Sequence, residues 1–217
     1  MISRIKEPVN ALSHMLGAIL SVIGLIFLVY RGAIQGSVRH VVGFAVYGVS
    51  LVLLYSASTI YHSLRVSRQC TRILRKIDHS MIYVLIAGSY TPLCLIALQG
   101  AWRWGVIAGI WILTALGITC KILWLDAPRW LSTLLYLVMG WLAVVALVPL
   151  ADSITWTGVI WLLIGGITYS VGALIYGTKW PRLPSNVLGF HEIFHMFVLG
   201  GSMVHFWVMA RYVLPLA

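Results

Sequence analysis

Apolar positions along this chain do not recur with a short period; they gather into blocks. Stretches without Asp, Glu, Lys or Arg cover residues 8–30, 41–64, 79–102, 104–120, 130–151, 153–178 and 193–210. A helix that crosses the hydrocarbon core of a bilayer needs about 20 mostly apolar residues, range roughly 17–25. Inside lipid its backbone groups must also be satisfied within the segment, as a helix does. Each block is long enough for one crossing, and only a few residues separate most neighbours. The pattern predicts an all-α polytopic membrane protein with seven transmembrane helices, over about 11–31, 41–62, 79–99, 104–123, 130–150, 155–177 and 191–213. These spans use up the chain, so residues 1–217 read as a single membrane domain without a soluble one.

Composition agrees. Hydrophobic residues make up 61% of the chain and charged ones 9%, where a soluble domain carries about 25% charged residues. The first block follows Arg4 and Lys6 but is longer than a signal-peptide core of about 7–15 residues and has no A-x-A-like site, so it is expected to be a retained helix. Cys70, Cys94 and Cys120 are scattered, with no C-x-x-C pair. That excludes a disulfide framework and a thiolate metal site.

A net charge of +10 could suggest nucleic acid, but its placement excludes that partner. With the N-terminus on side one, that side holds Arg4, Lys6, five basic residues within 65–76, Lys121, Arg129, Lys179 and Arg182; the other holds Arg31, Arg39, Arg103 and Arg211. The split is 11 against 4, all 15 basic residues. The positive-inside bias then predicts a cytoplasmic N-terminus and a C-terminus, at Ala217, outside. The basic segment 65–76 is expected to meet anionic lipid headgroups. Trp102, Trp104, Trp124, Trp130, Trp156 and Trp180 stand at block ends, as in an aromatic belt. Gly165, Gly166 and Gly172 read as close-packing positions between helices, and Pro92 should kink or open the third helix.

Candidate chemistry begins with "HEIFH", residues 191–195, which spells the H-E-x-x-H of zinc peptidases. Here it opens a membrane helix, without a soluble cleft or a third histidine at zincin spacing, so a peptidase is not expected. The metal reading survives. His191 and His195 stand at i and i+4 on one helix face. The drawn topology brings His62, at the end of the second span, and Asp78, at the start of the third, to the same depth. Three imidazoles and a water are a common catalytic zinc arrangement, with a carboxylate to hold or deprotonate the water. Ser58 lies one turn from His62. Asp78 could instead pair with Arg75 or Lys76. His14, His40 and His79 read singly as hydrogen-bonded interfacial residues. His205, 14 residues past His191, is roughly 21 Å deeper and reads as an inter-helix hydrogen-bonding residue.

The segments "STIYH", "LRKIDHSMIYVLIAGSYTP" and "HEIFH…HF" resemble the haemolysin III / PAQR family of seven-helix membrane proteins, related to adiponectin receptors and alkaline ceramidases. The resemblance runs from "EPVNALSHMLG" to "GGSMVHF". It implies Zn2+ held on the cytoplasmic side by His62, His191 and His195, with Asp78 holding a water at the metal and Ser58 completing the site. It also implies an N-in, C-out chain; the short tails fit the bacterial branch and hence the inner membrane. The leading expectation is a zinc-dependent protein of membrane lipid and fluidity homeostasis, whose partners are membrane lipids and which hydrolyses a lipid amide or ester. The alternatives are a pore-forming cytolysin and a non-catalytic lipid sensor with structural zinc.

Overall fold

A computed structural model of the chain describes residues 5–35, 37–183 and 188–216, all of whose regular elements are helical. Arg4 and Ala217, the residues nearest the two ends in the expected topology, lie outside the described residues. The elements are α1 Pro8–Ile34, α2 Val38–Ser63, α3 Arg68–Pro92, α4 Gly100–Leu123, α5 Arg129–Trp141, α6 Leu147–Thr178 and α7 Phe190–Val208. Among the described residues, six continuous helical stretches are long and apolar enough to cross a membrane.

One of the six, Arg129–Thr178, joins the fifth and sixth expected spans and has 50 residues. Straight, it would measure about 75 Å, more than twice a hydrocarbon core of about 30 Å. It is not straight. A 3-10 turn over Leu142–Ala146 separates α5 from α6, and inside α6 the backbone leaves helical geometry at Thr155, with φ 65° and ψ 160°. Contacts then pair residues symmetrically about that point. Thr133 packs where a Cβ on Gly177 would lie, 3.3 Å away. Trp141 Nε1 donates to Ser170 Oγ at 2.9 Å, and the Arg129 guanidinium donates to the Tyr176 carbonyl oxygen at 3.4 Å. The segment therefore doubles back at Thr155, three residues past Asp152, the charged residue that separates the two blocks.

The third helix differs from its expected start. It begins at Arg68 rather than at 79, because the Ser67 hydroxyl accepts the Cys70 N–H at 3.3 Å as an N-cap. Hydropathy located only the apolar part of this helix, and its basic first turns are good helix formers as well. At the other end Pro92 lacks an N–H, and the chain widens into a π-helical turn over Leu93–Ala97.

Helices α2 and α3 form the inside of the bundle. Their most apolar windows are 50% and 61% buried, against 28% for α1 and α4. Along α2 a stripe of rings, His40, Tyr47, Tyr55 and His62, is buried from one end to the other. Leu, Ile and Val make up most of the exposed large hydrophobic side chains, as a hydrocarbon solvent permits. Glycine sets several approaches. A Cβ on Gly48 would meet the Leu25 backbone at 2.9 Å, and one on Gly172 would meet Phe197 at 2.8 Å. Gly165 abuts the His205 ring, whereas Gly166 has open space before it and lines a cavity, so it is not the packing position expected.

Gly48→Val should therefore lower the unfolding temperature of the detergent-solubilised protein strongly, since overpacking against backbone costs about 1–3 kcal/mol. Gly109 in α4 faces open space. Gly109→Ala should leave that temperature unchanged or raise it, through helix propensity of up to about 1 kcal/mol.

Candidate metal centre and cavity

Three helix ends meet at one end of the bundle. His62 stands one residue before the end of α2, while His191 and His195 occupy the first two turns of α7. Ring centroids lie 5.1 Å apart for His62–His191, 4.9 Å for His62–His195 and 4.8 Å for His191–His195. One nitrogen from each ring falls within 4.8 Å of the others. His62 has no exposed surface. Its Nε2 and the Nδ1 of His195 are buried without a hydrogen-bond partner among the described residues. Unpartnered imidazole nitrogens that converge are what a zinc ion requires, and imidazole is among its usual ligands; the donor set fits that metal.

The N-terminal end of α1 organises this cluster. The Glu7 N–H donates to the His62 carbonyl oxygen at 2.9 Å, and Glu7 Oε2 lies 2.5 Å from His62 Nδ1. A carboxylate in that place accepts an Nδ1–H, which leaves the Nε2 lone pair free. Asn10 Nδ2 reaches Glu7 Oε2 at 3.3 Å and Glu192 Oε1 at 2.7 Å, and lies 3.5 Å from His191 Nδ1. Glu192 Oε2 accepts the Gly189 N–H at 2.9 Å, which caps α7. Both oxygens of Glu192 are thus engaged in holding the start of α7, and the H-E-x-x-H glutamate has a structural role here.

Glu7 and Asn10 were missed as site residues in the sequence reading, and so was His14. The signal was present: Glu7, Asn10 and His14 follow i, i+3, i+7 spacing, one polar face on an otherwise apolar helix. His14 is not the hydrogen-bonded interfacial residue expected. It is buried, with both ring nitrogens unpartnered, and it stacks on His195 at 3.7 Å and 14°. His40 is likewise buried, against Phe44 at the far end of α2. His79 does hydrogen-bond, its Nε2 3.2 Å from the Tyr176 hydroxyl; its Nδ1 stands 3.2 Å from Asp78 Oδ2, an ion-pair distance without hydrogen-bond geometry. Asp78 therefore meets neither Arg75 nor Lys76. Arg75 faces Asp126 at 3.7 Å, and Lys76 donates to the Ile122 carbonyl oxygen at 2.8 Å.

Ser58, Asp78, His191 and His195 line one cavity of about 140 Å³, with His62 behind them. Leu54, Ile82, Leu85, Phe194 and Val198 form apolar walls, and the cavity extends to His205. A second cavity of about 50 Å³, walled largely by leucines, adjoins it there. His205 bonds within its own helix, Nδ1 to the Gly201 carbonyl oxygen at 3.0 Å, rather than between helices as expected.

Apolar helices around a buried histidine cluster and an apolar cavity define a polytopic membrane protein with a polar centre at one end. The chain belongs to the haemolysin-III related family, whose model matches residues 2–206. It is 45% identical over 212 residues to Hemolysin-3 of Bacillus cereus, covering 98% of this chain and 94% of that protein. Against the Hemolysin-3 homolog of Bacillus subtilis (strain 168), identity is 43% over 209 residues, covering 96% and 95%. A human protein, monocyte to macrophage differentiation factor, matches at 26% over 179 residues, covering 77% and 68%.

The hydrogen bond from His62, more than any other cause, holds the Glu7 carboxyl down to about 2 from an ordinary 4.5. A depressed folded-state value means stability that is fully present above about 4.5 and lost as pH falls through about 2. The difference in unfolding temperature between the native chain and Glu7→Gln should shrink across that window. A difference that persists at its lower end would contradict the pairing.

Proposed function

We propose that this chain is a zinc-binding integral membrane protein of lipid and fluidity homeostasis, which hydrolyses a lipid amide or ester at the histidine end of its cavity. The supporting observation is the cavity itself: histidines, Asp78 and Ser58 at one end, and apolar walls leading away from them. A lipid has the same shape of polarity, a carbonyl head and a hydrocarbon tail. His62, His191 and His195 would hold the ion. When bound, zinc polarises a carbonyl and brings the pKa of a water toward neutrality. Asp78 orients and deprotonates the attacking water, and the Ser58 hydroxyl donates a hydrogen bond to the developing oxyanion. Ser58 is buried on the cavity and makes no hydrogen bond among the described residues, so its hydroxyl is available. Trp141 and Ser170 line the cavity from α5 and α6 while Trp141 keeps an exposed face, which supports lateral entry of lipid between those helices.

The proposed topology has seven crossings, with the doubling back at Thr155 dividing Arg129–Thr178 into two. The 11-to-4 distribution of basic residues then supports a cytoplasmic histidine end and an outside C-terminus, in the bacterial inner membrane. Alkaline phosphatase fused after Ala217 should be active, and a fluorescent protein that needs the cytoplasm to mature should stay dark there. The opposite pattern would refute seven crossings with N-in orientation.

Purified protein should contain zinc in stoichiometric amount, and His62→Ala, His191→Ala and His195→Ala should each lose it. Undiminished metal in those variants would sink the site. Glu7→Gln should keep the ligands yet weaken zinc affinity about 10- to 100-fold, as loss of a histidine's carboxylate partner does; competition with a chelator measures this. Turnover is read as free fatty acid released from ceramides and phospholipids, and Asp78→Asn should abolish it with zinc retained. Zinc without turnover on any of them would favour a sensor with a structural ion.

The names of the Bacillus relatives support a second reading, a cytolytic pore. Dye leakage from liposomes that hold the pure protein, unaffected by the histidine substitutions, would favour it. The apolar walls of the cavity speak for the lipid reading instead.

A further inference from the structure

His205 sits 14 residues beyond His191 and 10 beyond His195 in α7, roughly 21 Å and 15 Å along the helix. No role assigned so far uses it. Its Nδ1 lies 3.0 Å from the Gly201 carbonyl oxygen, and a carbonyl accepts only from an N–H. The proton of the neutral ring is therefore on Nδ1, and Nε2 is a bare acceptor. No donor reaches Nε2 among the described residues. The ring cannot easily turn away, because Tyr169 packs against it at 5.2 Å and it fills the space where a Cβ on Gly165 would sit, 2.5 Å from its atoms.

The place of this acceptor matters as much as its lack of a partner. His205 lines both the larger and the smaller cavity, so it stands at the waist where one passes into the other. The other polar side chains at that waist are already engaged. The Ser89 hydroxyl donates to the Ile86 carbonyl oxygen at 2.7 Å, and the Tyr90 hydroxyl to that of Gly140 at 2.7 Å. The Ser170 hydroxyl donates to Gly166 at 2.7 Å while accepting from Trp141. Tyr169 and Ser202 bond each other at 2.8 Å. Around them the lining is apolar, with Leu93, Leu147, Leu162 and Leu163 beside Gly140 and Gly166.

We infer that His205 Nε2 recognises a hydroxyl carried far down the ligand's hydrocarbon chain, which makes the ligand a chain-hydroxylated fatty acyl compound. The inference rests on the acyl-chain reading given above and adds a specificity-determining residue to it. With the carbonyl at the histidine cluster, a chain passing His205 has run about 15–21 Å, as long as one leaflet of a hydrocarbon core about 30 Å thick. A plain methylene at that point covers the acceptor and leaves it unpaired in an apolar surrounding, at a cost of about 1–3 kcal/mol. An O–H at that point pairs with it. A hydroxyl next to the head group would lie beside Asp78 and never reach the waist.

The test is equilibrium binding to the full chain in detergent of three probes: octadecanoic acid, the same acid hydroxylated beyond mid-chain, and the same acid hydroxylated beside the carboxyl. The native chain should bind the second about tenfold tighter than the first, as one hydrogen bond to an otherwise unpaired acceptor predicts, and the third with no such gain. His205→Phe should lose the tenfold preference while still binding plain octadecanoic acid, and His205→Gln, which keeps an acceptor, should retain part of it. Equal affinities for the first two probes in the native chain, or a preference that survives His205→Phe, overturn the inference and leave the acyl-chain reading standing. If none of the three binds the native chain, both fall together.

Discussion

An imidazole nitrogen shut inside a bundle whose outer face meets hydrocarbon needs a partner, since a buried polar group without one costs about 1–3 kcal/mol. Several such nitrogens gather at one end of this molecule, on His14, His62 and His195, and the arrangement of helices there exists to hold them together. The end of α2 and the start of α7 come from distant parts of the chain. What ties them is the N-terminal end of α1: its N-cap residue Glu7 on His62, and Asn10 in its first turn between Glu7 and Glu192. Glu7 also closes a backbone bond to His62, so one ring of the cluster and its carboxylate partner are fixed twice over. The cluster is left short of donors by construction, and the proposed metal would take up the spare lone pairs.

The same bundle leaves space where an ordinary helical core would close. Gly140 and Gly166 line the cavity and carry no side chain to fill it, while Gly165, one position away from Gly166, brings α6 hard against the His205 ring. Neighbouring glycines, about 100° apart around one helix, thus do opposite things. The break at Thr155 and the 3-10 turn before it let the Arg129–Thr178 segment fold back as one wall of this space. A polar centre at one end, an apolar passage and the His205 acceptor at the waist follow from those backbone choices.

Much of this was legible beforehand. Spacing placed His191 and His195 on one helix face, and the alternation of crossings put His62 and Asp78 at their end. The family was legible from three short motifs. Glu7 and Asn10 were not picked out, although their spacing with His14 was visible, because a polar residue at a span's end usually marks the interface and nothing more. His14 was misread for the same reason. Depth along a helix follows from residue number, but the direction of a side chain around it depends on which neighbours surround that helix.

By itself the sequence determined that the protein is helical and membrane-embedded, because hydrocarbon selects long apolar runs with satisfied backbones whatever the partners are. It also determined the candidate donors, through helical periodicity. Only the tertiary structure decided that Glu192 caps α7, that Asp78 meets His79 rather than Arg75 or Lys76, and that Glu7 orients His62. Each of these is a choice among polar partners of similar chemistry, settled by angstrom-scale distances between helices that the order of residues along the chain does not contain.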